Sequence, residues 1–334
     1  MKFGLSLSVQ HRPEEAQAAR FREHVEQVRL ARAVGFDSVW AGQHYLAAPF
    51  TYFQPIPTLA RVAAEAEGMR LGTGVLLLPL HHPVAVAEEL ATLDVICGGR
   101  FIFGVGLGYR DAENQAMGLD PSQRVGRLVE GLTVIERLWM GEPVTWKGAH
   151  FRLEDVRISM PPLQRPRPPV WLAANADAGI RRAAELGDAW LMNPHSTLAT
   201  LERQLALFRR TRAALGRPPA TEIPIIKECQ VAATRGAALA AARPFLESKY
   251  QAYQRWEQDK ALPPGESFAL DFETLARDRF LLGDPDAVAD EIARLRAGLG
   301  VTTVIFRVQW PGLEQEAALR TIRLLGERVL PRLP

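Results

Sequence analysis

Cysteine is scarce in this sequence, with only Cys97 and Cys229 among 334 residues, far apart and in apolar surroundings. Two such cysteines predict neither a disulfide framework nor a cysteine metal site, and they favour a reducing compartment. Long apolar runs are also missing. The longest, Val75–Leu80, is far too short to span a membrane, and Met1–Gln10 lacks the pattern of a signal peptide. We therefore expect a cytoplasmic protein with no membrane association.

An excess of charge is missing as well, because the formal net charge is only +2. This value argues against nucleic acid or an acidic membrane as a partner. The glycines of Gly104–Tyr109 lack the G-x-G-x-x-G spacing of dinucleotide-binding folds, and no phosphate-binding loop or nucleophile elbow occurs. His81 and His82 are adjacent, which is poor geometry for binding one ion, so we expect no metal.

What the sequence does contain is an alternation of short apolar runs and helical spacings. Val86, Leu90, Leu93 and Cys97, for example, recur at +4, +3 and +4, as on one face of a helix. The predicted strands are Lys2–Ser8, Ser38–Ala41, Leu71–Leu78, Phe101–Gly106, Pro169–Ala174, Ala189–Met192, Ile223–Ala232 and Val301–Val308. Eight such units predict an α/β fold with a closed (β/α)8 TIM barrel, and a doubly wound open sheet is the alternative.

Two connections are too long for a plain barrel. Residues 142–160 alternate in a strand-like way around Lys147-Gly148, so we predict a surface hairpin inserted into one barrel domain that spans residues 1–334. Residues 245–283 contain a charged helical stretch and the break Pro263-Pro264-Gly265. Long connections in compact domains are usually functional or disordered, and we predict that this one is a lid over the active site.

Polar side chains follow the predicted strands. An α/β barrel carries its active site at the carboxyl ends of its strands, so these are candidate site residues. They are Gln10, His11, Gln43, His44, Tyr45, His81, His82, Tyr109, Arg110, Asn175, His195, Gln309 and Trp310. Any single histidine here is more often an ordinary hydrogen-bonded loop residue. His44 is favoured as a catalytic residue because it follows its strand directly, where Gln43 and Tyr45 can orient it.

Glycines and one helix start suggest a ligand. Glycines at the strand ends let a flat ligand approach the backbone, although they also fit a tight barrel rim; they are Gly72, Gly74, Gly104, Gly106 and Gly108. After the fifth strand, Asn175 or Asp177 can cap a helix whose free N–H groups can bind a phosphate. Every α/β unit has such a helix start, so this signal is weak alone.

Several segments together resemble luciferase-like flavin oxidoreductases. The similarity lies in Phe36–Tyr45 (FDSVWAGQHY), Leu71–Val84 (LGTGVLLLPLHHPV), Gly99–Tyr109 (GRFIFGVGLGY) and the tail from Gly283 to Pro331. The resemblance implies a flavin at the strand ends, backed by a cis peptide bond that we place at Gly74–Val75. It also implies a phosphate near Asn175–Gly179, where this chain departs from the usual glycine or hydroxyl pattern. The thiol of the luciferases is replaced by Gly106, so light emission is not implied.

The resemblance gives each candidate residue a role. His44 matches the family's active-site histidine, and we expect it to move a proton beside the flavin. The expected cofactor contacts are Gly74, Val75, Gly106, Tyr109, Ala174, Asn175, Ala176 and Asp177. The expected substrate pocket contains His11, His195 and Trp310.

Three functions are compatible with the resemblance. The first is a monooxygenase that takes reduced FMN from a separate, transiently bound flavin reductase and uses dioxygen on a small organic molecule. The second is a hydride-transfer enzyme that uses the deazaflavin coenzyme; such enzymes often have an Asp and an Asn where this chain has Gln43 and Ala112, which favours FMN. The third is a flavin-binding protein without catalysis. A homodimer through the second and third helices is usual in the family, and the alanine-rich Ala60–Ala66 is compatible with it.

Overall fold

Strands and helices alternate along the whole chain. The computed structural model describes residues 1–333. The strands are β1 (Lys2–Ser6), β2 (Gln10–His11), β3 (Ser38–Ala41), β4 (Thr51–Tyr52), β5 (Arg70–Thr73), β6 (Leu76–Leu77), β7 (Phe101–Gly106), β8 (Val144–Lys147), β9 (Arg152–Val156), β10 (Val170–Ala173), β11 (Ala189–Leu191), β12 (Pro224–Val231), β13 (Phe280–Gly283) and β14 (Thr303–Arg307).

The helices begin and end at the signals that the sequence carries. In the helix Pro285–Leu299, Asp284 accepts hydrogen bonds from the N–H groups of Asp286 and Ala287, and Gly300 ends the helix in the left-handed conformation. The helices are α1 (Gln17–Ala33), α2 (Pro55–Val62), α3 (Pro83–Ile96), α4 (Asp111–Ala116), α5 (Arg124–Trp139), α6 (Asp177–Leu186), α7 (Leu198–Ala214), α8 (Arg235–Arg255), α9 (Phe272–Ala276), α10 (Pro285–Leu299) and α11 (Gln315–Leu324).

Eight parallel strands form a closed ring in the order β1, β3, β5, β7, β10, β11, β12 and β14. The ring closes between β14 and β1, and a parallel bridge between Met192 and Ile225 joins the β11 end to β12. At this bridge Met192 N donates to Pro224 O over 3.0 Å, and Ile226 N donates to Met192 O over 2.9 Å. The predicted (β/α)8 barrel is confirmed, and the open-sheet alternative is wrong.

The barrel interior is filled by large side chains. Trp40 and Trp171 stack there with ring centroids 5.0 Å apart, and Ile102, Ile226 and Ile305 belong to the same cluster. A larger apolar core lies between the strands and the surrounding helices. Because the interior is packed, a ligand has no room inside the barrel. The place for it is the face formed by the carboxyl ends of the strands.

The two long connections have different structures. In residues 142–160, β8 and β9 form an antiparallel pair, as expected of a hairpin. Trp146 of β8 donates a hydrogen bond from Nε1 to the Glu130 carboxylate of α5. Residues 245–283 include the end of α8, a short 3-10 helix, α9 and the strand β13, which pairs in parallel with β12. The last four residues of the predicted lid are therefore a sheet strand, which corrects that boundary.

A second apolar cluster lies beneath this connection. Tyr250, Phe268, Phe272 and Phe280 pack together in it, and Trp310 joins them from beyond β14. Because α8 and α9 belong to this cluster, the predicted cover is limited to the residues between them, about 256–271, and Phe268 of that segment is itself packed in the cluster. No helix among residues 1–333 is long and apolar enough to cross a membrane.

Candidate active site

The carboxyl ends of the barrel strands surround a cavity of about 640 Å³. The predicted site residues that line it are His44, Gly74, Val75, Gly106, Tyr109, Ala174, Asn175, Ala176 and His195. They come from five different strand ends along the chain and meet because a parallel barrel directs all of these ends to one face.

Three other predicted residues lie away from the cavity wall. His11 packs under α1 against His24 and Phe53, and burial, followed by the nearby His24, lowers the pKa of His11 to about 3. Trp310 donates from Nε1 to Glu228 over 2.6 Å. The carboxylate of Asp177 pairs with the guanidinium of Arg203 at the surface. These positions correct the placement of His11 and Trp310 in the substrate pocket and of Asp177 at the cofactor.

A wall of bare backbone forms one side of the cavity. The peptide bond between Gly74 and Val75 is cis, as the resemblance implied. A Cβ atom on Gly106 would lie 2.6 Å from Val75, and one on Gly42 would lie 2.9 Å from the Gly74 carbonyl oxygen. Only glycine therefore lets these strand ends close against the Gly74–Val75 peptide, and together they leave a surface that a flat ring can approach.

Gly72 and Gly104 have a different role from the one predicted. A Cβ atom on Gly72 would lie 2.2 Å from the Trp40 ring, and one on Gly104 would lie 1.7 Å from Thr73 O. These two glycines make room for neighbouring protein atoms inside the barrel. Of the five predicted ligand-facing glycines, Gly74, Gly106 and Gly108 line the cavity.

The start of α6 forms another part of the wall. Its N-cap residue is Ala176, which provides no side-chain cap, so the prediction of Asn175 or Asp177 as the cap is wrong. Asn175 instead accepts a hydrogen bond of 2.6 Å from Asn193. The first N–H groups of the helix therefore have no side-chain acceptor, and such groups bind anions.

Two arginines that the sequence analysis missed stand near this helix start. Arg182 and Arg124 both line the cavity, together with Ala178 and Gly179 of the first helical turn. Arg124 is paired with Asp111, whereas the nearest charge that acts on Arg182 is that of Glu185, one turn further along α6. The sequence did offer a signal for Arg182. It lies three residues after Gly179, so it stands on the same face of α6 as the helix start.

His44 is held by a buried carboxylate at the opposite part of the cavity. Its Nδ1 lies 3.0 Å from Oε1 of Glu113, whose side chain is 1% exposed. The same oxygen accepts from the Tyr45 N–H over 2.9 Å and from Arg110 over 3.3 Å. With Nδ1 bonded to a carboxylate, Nδ1 carries a proton, and Nε2 is the nitrogen left for chemistry.

The predicted orienting residues have other partners. The side-chain oxygen of Gln43 accepts from the Leu77 N–H over 2.9 Å and is 3.0 Å from His81 Nε2. Its amide nitrogen donates to the Tyr45 hydroxyl over 3.2 Å. Gln43 thus fixes the backbone just after the cis peptide bond, while Glu113 replaces Gln43 and Tyr45 as the residue that orients His44.

The segment after α8 covers the cavity. The Trp256 ring lies 5.6 Å from the His44 ring between centroids, and the Arg110 guanidinium lies over the Trp256 ring at 4.5 Å from its centroid. Gln258 spans the opening: its Oε1 accepts from Tyr109 over 3.3 Å, and its Nε2 donates to His195 Nδ1 over 3.3 Å. The cover therefore contacts both sides of the site.

Within residues 1–333, no group of three or more histidine, cysteine or acidic side chains is arranged to hold a metal ion. The polar groups of the cavity are instead a helix start with a nearby arginine, a carboxylate-oriented histidine and an apolar backbone wall. This set suits an organic cofactor that has a flat ring at one end and an anionic group at the other.

Comparisons with known proteins agree with this geometry. Residues 1–303 match the family described as luciferase-like monooxygenase. The crystal structure of the monooxygenase RslO1 from Streptomyces bottropensis superposes with a TM-score of 0.88 and 28% identity, covering all of both chains. An F420-dependent glucose-6-phosphate dehydrogenase from Microbacterium testaceum is 28% identical over 91% of each chain. The oxygenase component of the trigonelline monooxygenase from Acinetobacter baylyi is 31% identical over 52% of this chain and 49% of that protein.

Proposed function

Because this chain belongs to the luciferase-like monooxygenase family, we propose that it is the oxygenase of a two-component flavin monooxygenase. In this proposal a separate reductase supplies reduced FMN, and the substrate is a small organic molecule. Flavin-dependent monooxygenases and F420-dependent dehydrogenases both occur among the relatives, so an oxidoreductase is the broader conclusion.

The observation that carries the proposal is the pairing of the glycine wall with the uncapped start of α6 in one cavity. The wall at Gly74–Val75 and Gly106 fits an isoalloxazine ring, and the N–H groups after Ala176 with Arg182 fit a phosphate. FMN has both groups, whereas riboflavin lacks the phosphate. Bound reduced FMN would supply the electrons that activate dioxygen.

In this proposal the protein's own residues move a proton and exclude water from the site. His44 would donate or accept a proton at Nε2, while Glu113 keeps the ring oriented through Nδ1. Trp256 and Gln258 would exclude water from the reacting groups when they lie across the cavity. This pairing of a lining histidine with a buried carboxylate supports catalysis over simple flavin storage.

The deazaflavin alternative is supported by the F420-dependent relative that matches over 91% of each chain. Equilibrium binding of FMN, riboflavin and the deazaflavin coenzyme separates the two. We expect FMN to bind tightly, riboflavin weakly, and the protein alone to oxidise NADH slowly. Dioxygen should be consumed when a flavin reductase supplies reduced FMN. Tight binding of the deazaflavin alone, or rapid NADH turnover without a reductase, would overturn the proposal.

A matched pair of variants tests the phosphate contact. Arg182→Gln should weaken FMN roughly tenfold or more, because a charge-assisted hydrogen bond is lost, and should leave riboflavin affinity unchanged. Arg181→Gln, one residue away and exposed, is the control and should change neither affinity. Equal losses for FMN and riboflavin in Arg182→Gln would place the phosphate elsewhere.

The homodimer through α2 and α3 stays a prediction that sedimentation can test.

A further inference from the structure

A cluster of buried charges borders the cavity near the end of β14. Arg307, the last residue of that strand, lines the cavity and donates from one nitrogen to Glu228 Oε1 over 3.0 Å. The same oxygen accepts from Lys249 Nζ over 2.6 Å, and Oε2 accepts from Trp310 over 2.6 Å. Glu228 and Lys249 are 0% and 1% exposed, so neither is available to bulk water.

Below about pH 7, where Lys249 is protonated, the cluster has one more positive charge than negative. Although burial opposes it, Lys249 and Arg307 hold the pKa of Glu228 down to about 2, so the carboxylate is ionised. Burial, followed by repulsion from Arg307, lowers the pKa of Lys249 to about 7. The nearby Arg279 is paired with its own carboxylate, Glu266. Among residues 1–333, no second acidic side chain pairs with Lys249 or Arg307.

His195 provides a second unused donor beside this cluster. Its ring is 5% exposed, lines the cavity, and has an Nε2 atom without any partner among the described residues. Because Gln258 donates to Nδ1, the proton of the neutral ring sits on Nε2. Burial, followed by Arg307, lowers the pKa of His195 to about 3, so the ring is neutral at pH 7 and Nε2 is a donor that lacks an acceptor.

We propose that Arg307 and the Nε2–H of His195 bind a carboxylate group of the substrate. Both supply hydrogen-bond donors, and the guanidinium uses only one nitrogen on Glu228, which leaves further N–H groups for a planar two-oxygen acceptor. The uncompensated charge of the cluster is single, which matches a carboxylate better than a phosphate dianion. This assignment rests on the proposed function, because it gives the FMN-loaded cavity its substrate class.

The position of the cluster agrees with a substrate role. In the ring of eight strands, β12 stands directly across from β5, whose end carries the Gly74–Val75 wall, and β14 is the strand between β12 and β1. Arg182 and the start of α6, which we assign to the FMN phosphate, follow β10 instead. The two anion-binding regions of the cavity are thus separate, and a carboxylate at Arg307 would hold a substrate on the face opposite the wall.

The experiment compares carboxylates with their uncharged amides. Acetate and acetamide, benzoate and benzamide, and phenylacetate and phenylacetamide are titrated by calorimetry at pH 6 and constant ionic strength, with and without FMN. For at least one pair we expect roughly ten- to a hundredfold tighter binding of the carboxylate. Arg307→Gln should remove this preference, and Arg182→Gln, with weakened FMN binding, should keep it.

The outcomes separate this inference from the proposed function. Equal affinity for acid and amide in all pairs, or a preference that survives in Arg307→Gln, overturns the carboxylate site even if FMN binds as expected. Inorganic phosphate that binds at Arg307 more tightly than every carboxylate also overturns it. Carboxylate preference in a protein that fails to bind FMN would instead contradict the proposed function. Arg307→Lys, which keeps the charge, should retain part of the preference.

Discussion

Two buried glutamates at the carboxyl face of the barrel organise the cavity in different ways. Glu113 is 1% exposed and accepts from one titratable ring, one backbone N–H and one arginine. Glu228 is 0% exposed and accepts from Lys249, Arg307 and Trp310. Each carboxylate accepts three hydrogen bonds, yet the groups that they hold differ in chemistry.

The partners decide what each glutamate does. Glu113 holds one nitrogen of His44 and so fixes which nitrogen faces the cavity, a role that serves proton transfer. Below about pH 7, where Lys249 is protonated, Glu228 neutralises only one of the two neighbouring cations, so its surroundings are positive and attract an anion. The same residue type therefore builds a proton-transfer site on one side of the cavity and an anion site on the other.

The largest effect on kcat is expected from the loss of His44, the residue that Glu113 orients. His44→Ala should lower kcat by roughly 10²–10⁴, because a positioned acid–base group contributes about that much. The variant should fold and bind FMN within a few-fold of the wild type, since the wall at Gly74–Val75 is unchanged. Steady-state kinetics with the substrate at saturating reduced FMN measure the effect.

His195→Ala and His11→Ala are the controls for that prediction. His195 lies beside the anion site, so its loss should act mainly on KM for the substrate. His11 is buried against His24 and Phe53, so its loss should act on stability rather than on rate. A His44→Ala enzyme within threefold of wild type would show that another histidine does the proton transfer.

Removing Glu228 should affect the free energy of unfolding more than catalysis. Glu228→Gln leaves Lys249 and Arg307 buried without their carboxylate, which costs about 3–5 kcal/mol for pairs of this kind. The double variant Glu228→Gln/Lys249→Met should recover part of that loss, because one unpaired cation is gone. Urea unfolding at pH 7 measures both. A Glu228→Gln protein within 1 kcal/mol of wild type, taken as about the error scale, would mean that the charges are not held as described.

At acid pH, the free energies of unfolding of the wild type and of Glu228→Gln should become more similar. The folded protein keeps Glu228 ionised down to about pH 2, whereas the unfolded chain protonates it near its ordinary pKa of 4.5. Between these values the unfolded state binds more protons, so this contribution to stability is present above about pH 4.5 and is lost as pH falls toward 2. Urea midpoints of both proteins at pH 7, 4.5 and 3 should converge; a constant gap would contradict the assignment.

Glu113→Gln tests the other half of the comparison and should have a smaller effect. The amide keeps the shape but loses the charge, so kcat should fall roughly ten- to a hundredfold. The loss should appear in kcat rather than in KM for the substrate, because Glu113 acts on His44 and does not line the cavity. A merely structural role would lower the free energy of unfolding and leave kcat of the folded enzyme unchanged. Glu113→Asp, which keeps the charge, should retain more activity than Glu113→Gln.

The sequence was sufficient to predict one side of this comparison and not the other. His44 and the Gly74–Val75 wall were predictable because barrel topology brings strand ends together and their motifs are local. Glu113 lies 69 residues from His44, and Glu228 lies 79 residues from Arg307, so both pairs depend on tertiary structure. A charged residue at the end of an otherwise apolar strand, as in VIFR before Val308, was the available signal for the anion site.

The errors in the fold prediction have similar causes. His11 follows the first strand, but β2 pairs with β4 rather than continuing the barrel, which turns the side chain away from the cavity. Strand β13 is four residues long and follows a charged stretch, so nothing local distinguished it from the end of a loop; its partner is the long strand β12. Position after a strand identifies candidates, and the direction of each side chain is decided by contacts distant in sequence.

The smallest expected effect concerns Gln258, which connects the two sides. It bonds to Tyr109, whose ring is 5.5 Å from His44, and to His195 beside the anion site. Pro264, Gly265, Ala269 and Leu270 of this segment are exposed and lie outside any helix or strand. We therefore predict that limited proteolysis of the free protein cuts between Gln258 and Leu270, and that FMN with a bound carboxylate slows cutting several-fold. Gln258→Ala should weaken that protection and raise the cutting rate without ligand, since its bonds to both sides of the cavity are then lost. Cutting that is unchanged by saturating ligands would show that the segment is a fixed wall rather than a lid, and that the two glutamate regions act independently.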